Sequence, residues 1–84
     1  MSTKLHVGNI PLSTADKELR NMFSRFGSVE TVNIVRDTSS GRGKGYAEVT
    51  MSDEGAAQRA IRSLNFSQFS GRTIGVSKVR ETRL

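Results

Sequence analysis

The chain has no cysteine and no tryptophan, and it carries one histidine, one tyrosine and one proline. Without cysteine there is no disulfide framework, no thiolate metal site and no cysteine nucleophile. One histidine, with no cluster of paired carboxylates beside it in the sequence, leaves little from which to build general acid–base catalysis. The expectation is a protein that is not an enzyme and has no catalytic residue, metal site or cofactor. Nowhere do about 18 apolar residues run together, as a membrane-crossing helix requires. Nor does the amino terminus, Met1-Ser2-Thr3-Lys4-Leu5-His6, hold an apolar run of signal-peptide length. A soluble intracellular protein is expected, cytoplasmic first, with the nucleus as the alternative in a eukaryotic cell. The tripeptide Asn65-Phe66-Ser67 has the form of a glycosylation sequon, which has meaning only in a secreted chain.

What the chain does have is positive charge: 13 Lys and Arg against 8 Asp and Glu, for a net charge of +5 over 84 residues. A balance of this kind suits a polyanionic partner, but many small basic proteins bind no nucleic acid, so the placement of the charges has to decide. The length allows a single core and no second domain. The expected organisation is one monomeric domain spanning residues 1–84, with its core over about 4–79 and a charged tail over 80–84.

Periodicity outlines six elements. Leu5 and Val7 alternate with His6 and Gly8 in a first strand, ended by Asn9-Ile10-Pro11-Leu12. Ala15, Leu19, Met22, Phe23 and Phe26 recur at helical spacing behind a cap at Ser13 or Thr14, and Gly27 is a natural stop. Val29 to about Arg36 is a β-branched strand, followed by a polar loop from Asp37 to Gly43. In Lys44 to Met51, alternation puts Lys44, Tyr46 and Glu48 on one face and Gly45, Ala47, Val49 and Met51 on the other. Ser52-Asp53-Glu54 caps a second helix with an apolar face of Ala56, Ala57, Ala60, Ile61 and Leu64. After a connector over 65–71, Arg72 to Val79 forms the last strand, with Ile74 and Val76 inward and Thr73, Gly75 and Ser77 outward. Phe23 and Phe26 belong to the core, and Phe66 and Phe69 are expected to pin the connector over the core's edge. The order strand, helix, strand, strand, helix, strand suits an α+β fold, the ferredoxin-like βαββαβ sandwich. Its two helices cover one face of a four-stranded antiparallel sheet and leave the other face open.

A cation, an aromatic ring and an open strand face are the parts that single-stranded nucleic acid needs, charge for phosphate and a flat surface for a base. With these in view, Lys44-Gly45-Tyr46-Ala47-Glu48-Val49-Thr50-Met51 is similar to the octapeptide of the RNA recognition motif family: basic, Gly, aromatic, Gly or Ala, aromatic, Val, any residue, aromatic. Leu5-His6-Val7-Gly8-Asn9-Ile10 is similar to the family's hexapeptide. Further agreement comes from Phe26-Gly27-Ser28-Val29, from Arg36-Asp37 before the glycine loop, and from Gly71-Arg72 before the last strand. The chain resembles this family along nearly its whole length.

The resemblance implies that the first and third strands lie at the centre of the sheet and that single-stranded RNA, or single-stranded DNA, crosses its open face. The implied contact residues are His6, Asn9, Asn33, Arg36, Arg42, Lys44, Tyr46, Glu48, Ser77, Lys78 and Arg80. Tyr46 matches an aromatic that meets a sugar or base, Lys44 a phosphate-contacting cation, and His6 a stacking ring smaller than Tyr or Phe. Glu48 departs from the pattern where a second stacking aromatic stands, and Met51 departs at an inward position. A base stacked on an aromatic is worth roughly 1–3 kcal/mol, so one lost and one weakened stack imply modest affinity. About four phosphate contacts from these cations, with Arg83 also in the tail, would give log affinity a slope of roughly −3 against log salt, at ~0.7 per phosphate.

Glu48 has two readings. It is an exposed acid that keeps the strand soluble and weakens binding, or its carboxylate accepts hydrogen bonds from a Watson–Crick edge, cytosine amino or guanine imino and amino. Strand pairing would also set it beside His6, where a carboxylate favours the charged imidazole and makes binding respond between about pH 5 and 8; the alternative is an ordinary surface histidine. Gly41-Arg42-Gly43-Lys44-Gly45 lacks the GxxxxGK[ST] pattern and opens no helix, so it is not expected to hold a nucleotide. The rival function is docking of a protein on the sheet or a helix face. Against that rival, Ser67-Gln68-Phe69 lacks the arginine of the peptide-holding Arg-any-Phe sequence, and the first helix is mixed in charge rather than acidic.

Overall fold

A computed structural model of the protein describes residues 2–79; Arg80 and Arg83 of the expected basic tail lie outside them. In chain order the elements are β1 (Thr3–Gly8), α1 (Asp16–Ser24), β2 (Val29–Arg36), β3 (Gly43–Met51), α2 (Glu54–Leu64), β4 (Gln68–Phe69), β5 (Arg72–Thr73) and β6 (Gly75–Lys78). Four strands form one sheet in the order β2-β3-β1-β6, with every neighbouring pair antiparallel. This is the expected α+β sandwich with β1 and β3 at its centre. The last strand is shorter than Arg72 to Val79. Arg72 and Thr73 instead pair with Gln68 and Phe69 in a two-stranded ribbon, and Ile74 separates ribbon from sheet.

The alternation of the strands sorts side chains to two sides. Leu5, Val7, Ala47, Val49 and Met51 are fully buried, joined by Ile34, Ile74 and Val76 and by Leu19, Phe23, Ala56, Ala57 and Ala60 from the helices. The small residues of α2 let that helix lie close to the sheet. Gly27, where α1 hands over to β2, shows how close: a Cβ there would stand 2.6 Å from Ala56 Cβ.

The helix caps differ from one another. Asp53 caps α2 through its side chain, which accepts from the Ala56 N–H at 2.9 Å. For α1 the cap is Ala15, not Ser13 or Thr14. The Thr14 hydroxyl is buried and donates to the Pro11 carbonyl at 2.7 Å, closing the loop before the helix. The Glu18 carboxylate then reaches back to accept from the Ala15 N–H at 2.9 Å, the carboxylate half of a capping box. Phe69 packs against the core as expected, whereas Phe66 stands 79% exposed with a positive φ of 65° and pins nothing.

Candidate nucleic-acid interface

The face of the sheet opposite the helices is crossed by one straight rung. In β1 to β6 pairing His6 stands opposite Ser77, in β1 to β3 pairing opposite Glu48, and in β2 to β3 pairing Glu48 stands opposite Asn33. The rung therefore reads Ser77, His6, Glu48, Asn33 from one edge of the sheet to the other. Four expected contact residues meet there, each displaced by one residue from the buried row. Tyr46 lies on the next rung, opposite Gly8. Its ring stacks with that of His6, with centroids 5.7 Å apart and planes at 30°, and Tyr46 remains 37% exposed.

Glycine makes the stack possible. A Cβ on Gly8 would come within 3.2 Å of His6 Cε1, so the imidazole leans over a position that has no side chain. Gly75, the partner of Gly8 in β6, leaves the floor bare on the other side as well. On β3 the pairing with β2 is irregular between Ile34 and Arg36, and Gly45 takes a φ of 90° that only glycine adopts readily. This bulge lies in the pairing with β2 only; the in-and-out alternation expected from Lys44 onward continues through it, with Lys44 and Tyr46 exposed and Ala47, Val49 and Met51 buried. Lys44 is exposed beyond it, and Arg42 is exposed in the preceding loop.

The charges fall into two groups. Arg36 pairs with Gly43, a buried position, and its guanidinium lies 3.7 Å from Asp16 at the start of α1. Lys78 pairs with Leu5, a core residue, and its ammonium reaches Glu54 at 3.0 Å, at the start of α2. Both ion pairs therefore lie toward the helix side of the sheet, each on an exposed side chain at the sheet's edge. Lys44 and Arg42 make no ion pair among the described residues. Arg80 lies outside the described residues.

Asn9 is also committed elsewhere. With φ at 60°, it donates through Nδ2 to the Thr73 carbonyl at 2.7 Å, and its own Oδ1 accepts from Arg72 at 2.8 Å. It clamps the end of β1 to the ribbon. Lys4 was not among the expected contacts, yet its ammonium lies 3.7 Å from Glu48 Oε1. Its position two residues before His6 puts it on the same face, so strand alternation alone points to it. Glu48 does stand beside His6 as expected, but its ion pair is with Lys4.

The sheet order, the open central pair and the two motif strands are the features of a known family. The family model for the RNA recognition motif matches residues 5–75, and the chain belongs to that family. It is 37% identical over 81 residues to the mitochondrial glycine-rich RNA-binding protein 2 of Arabidopsis thaliana, covering 96% of this chain and 51% of that protein. It is 40% identical over 78 residues to the chloroplastic 28 kDa ribonucleoprotein of Nicotiana sylvestris, covering 93% of this chain and 28% of that protein. The chain thus spans about half the length or less of these curated relatives. Among solved structures, RNA-binding protein PG1 superposes with a TM-score of 0.91 at 29% identity, covering 98% of this chain and 99% of that one. A Sex-lethal protein–RNA complex superposes with a TM-score of 0.90 at 34% identity, covering 99% and 50%. Two relatives are named for organelles, so family membership does not assign the chain to the cytoplasm. No helix of the described residues is long and apolar enough to cross a membrane.

Proposed function

We propose that the chain is a non-catalytic module that takes a short single-stranded RNA across the open face of its sheet. Bases stack on Tyr46 and His6, and Lys44 and Arg42 meet phosphates. The observation that carries this reading is the stacked His6 and Tyr46 pair on the two central strands, uncovered by any described residue and floored by glycine. The names of the relatives, RNA-binding proteins and ribonucleoproteins, support the same class of partner.

Affinity is modest because one stacking position holds Glu48. At roughly 1–3 kcal/mol per stacked base, and ~1.4 kcal/mol per factor of ten, removing both rings weakens binding by at least about 20-fold. The test is a fluorescence-anisotropy titration of wild type and of the His6→Ala/Tyr46→Ala double variant against a short mixed-sequence RNA and the matching DNA. Loss in the double variant is expected. Equal affinity of the two proteins contradicts the reading, and the DNA arm measures what 2′-hydroxyls contribute. Docking of a protein is favoured instead by Phe66, an exposed aromatic at the end of α2. A wild-type protein that ignores RNA would turn attention there.

A further inference from the structure

We infer that Glu48, flanked by Asn33 and Lys4, is a guanine-reading position within the open face. This inference rests on the RNA-binding reading above. Glu48 stands at the middle of the rung, its side chain 36% exposed, where the stacking ring of the family pattern is missing. A carboxylate offers two acceptor oxygens and no donor. Of the four RNA bases, only guanine carries two adjacent donors on its Watson–Crick edge, the N1 imino and the N2 amino groups. Uracil, cytosine and adenine each present one donor beside a lone pair, so a second carboxylate oxygen would face repulsion rather than a hydrogen bond.

The neighbours complete the match. β3 lies between β1 and β2, so Lys4 and Asn33 flank Glu48 from opposite sides. Lys4 stands 3.7 Å from Oε1, close enough to hold the carboxylate in place and too far to occupy it as a short hydrogen bond would. Asn33 is directly opposite Glu48, exposed, and its amide makes no hydrogen bond to a described residue. Opposite residues on one face of an antiparallel pair have Cβ atoms about 5 Å apart, the spacing needed to share one base edge. The Asn33 amide is then free to donate to guanine O6, beside the N1 imino group held by Glu48. Acceptor, acceptor and donor on the protein meet donor, donor and acceptor on the base.

The test titrates wild-type protein with a short uridine-rich RNA carrying one guanosine, and with the same RNA carrying inosine, 7-deazaguanosine, adenosine, cytidine or uridine in its place. Hydrogen bonds to a charged acceptor set the expected preference for guanosine at about tenfold or more over adenosine, cytidine and uridine. Inosine lacks the N2 amino group and loses most of that preference, while 7-deazaguanosine keeps its Watson–Crick edge and retains it. Glu48→Gln brings the guanosine-to-uridine ratio close to one. Wild-type protein that binds all these RNAs equally, or that distinguishes 7-deazaguanosine but not inosine from guanosine, overturns the inference and leaves RNA binding standing. Wild-type protein that binds none of them overturns both.

Discussion

The two faces of the central strands use the same backbone for opposite ends. On one face Leu5, Val7, Ala47 and Val49 are fully buried against the helices; one residue along, His6, Tyr46 and Glu48 face outward. Because the side-chain period is two, a slip of one residue in register would bury the charges and expose the core. The buried row thus holds the outward row in place, and the stacking rings and the carboxylate are free to differ from family expectation without threatening the fold. The ion pairs follow the same division: Arg36 and Lys78 are turned to the helix side by Asp16 and Glu54, whereas Lys4 stays on the open side with Glu48.

This division is open to attack by substitution, with the largest effect on the buried side. Phe23 is fully buried on α1, and Phe23→Ala is expected to cost about 3–5 kcal/mol of stability in urea unfolding, while the protein that remains folded binds RNA as before. Tyr46→Ala does the reverse, with affinity at least about fivefold weaker and stability changed by less than ~0.5 kcal/mol. If Tyr46→Ala instead unfolds the protein, the two faces are not separable in this way. Gly8→Ala sharpens the comparison within the open face, because its Cβ would press on His6 Cε1. A loss of about two- to fivefold is expected from a displaced stack, smaller than for Tyr46→Ala, with the circular dichroism spectrum unchanged.

The smallest effects test the sorting of charge. Lys44→Ala should make the salt dependence of binding shallower by ~0.7, one phosphate's share. Arg36→Ala and Lys78→Ala should each leave RNA affinity within about twofold, since exposed ion pairs of this kind are worth roughly 0–1 kcal/mol and lie on the other side. Equal losses from all three would make Arg36 and Lys78 phosphate contacts alongside Lys44.

Most of the fold was legible because apolar spacing alone separates helix from strand and inside from outside. The side of the sheet on which Arg36 and Lys78 stand follows from strand parity. Ile34 inward puts Arg36 on the same side, and Ser77 outward puts Lys78 on the other, so the sequence held both answers. Other features had no local signal. Asn9 is claimed by Thr73 and Arg72, more than 60 residues away in the chain. The cap of α1 passed to Ala15 because the Thr14 hydroxyl was taken by Pro11, a contact decided by how the loop folds back. The ribbon of β4 and β5 splits a stretch that alternates well enough to pass for one strand. Phe66 has the composition of a core residue but sits at a positive φ that turns it to solvent.

The most direct measurement for the central claim is amide chemical-shift mapping of the protein during titration with a short mixed-sequence single-stranded RNA. Binding across the open face predicts the largest shifts at Ser77, His6, Glu48 and Asn33 along the rung and at Tyr46 beside it, with little change at Lys17 and Arg62 on the helices. Shifts confined to the helices, with the rung silent, would contradict it.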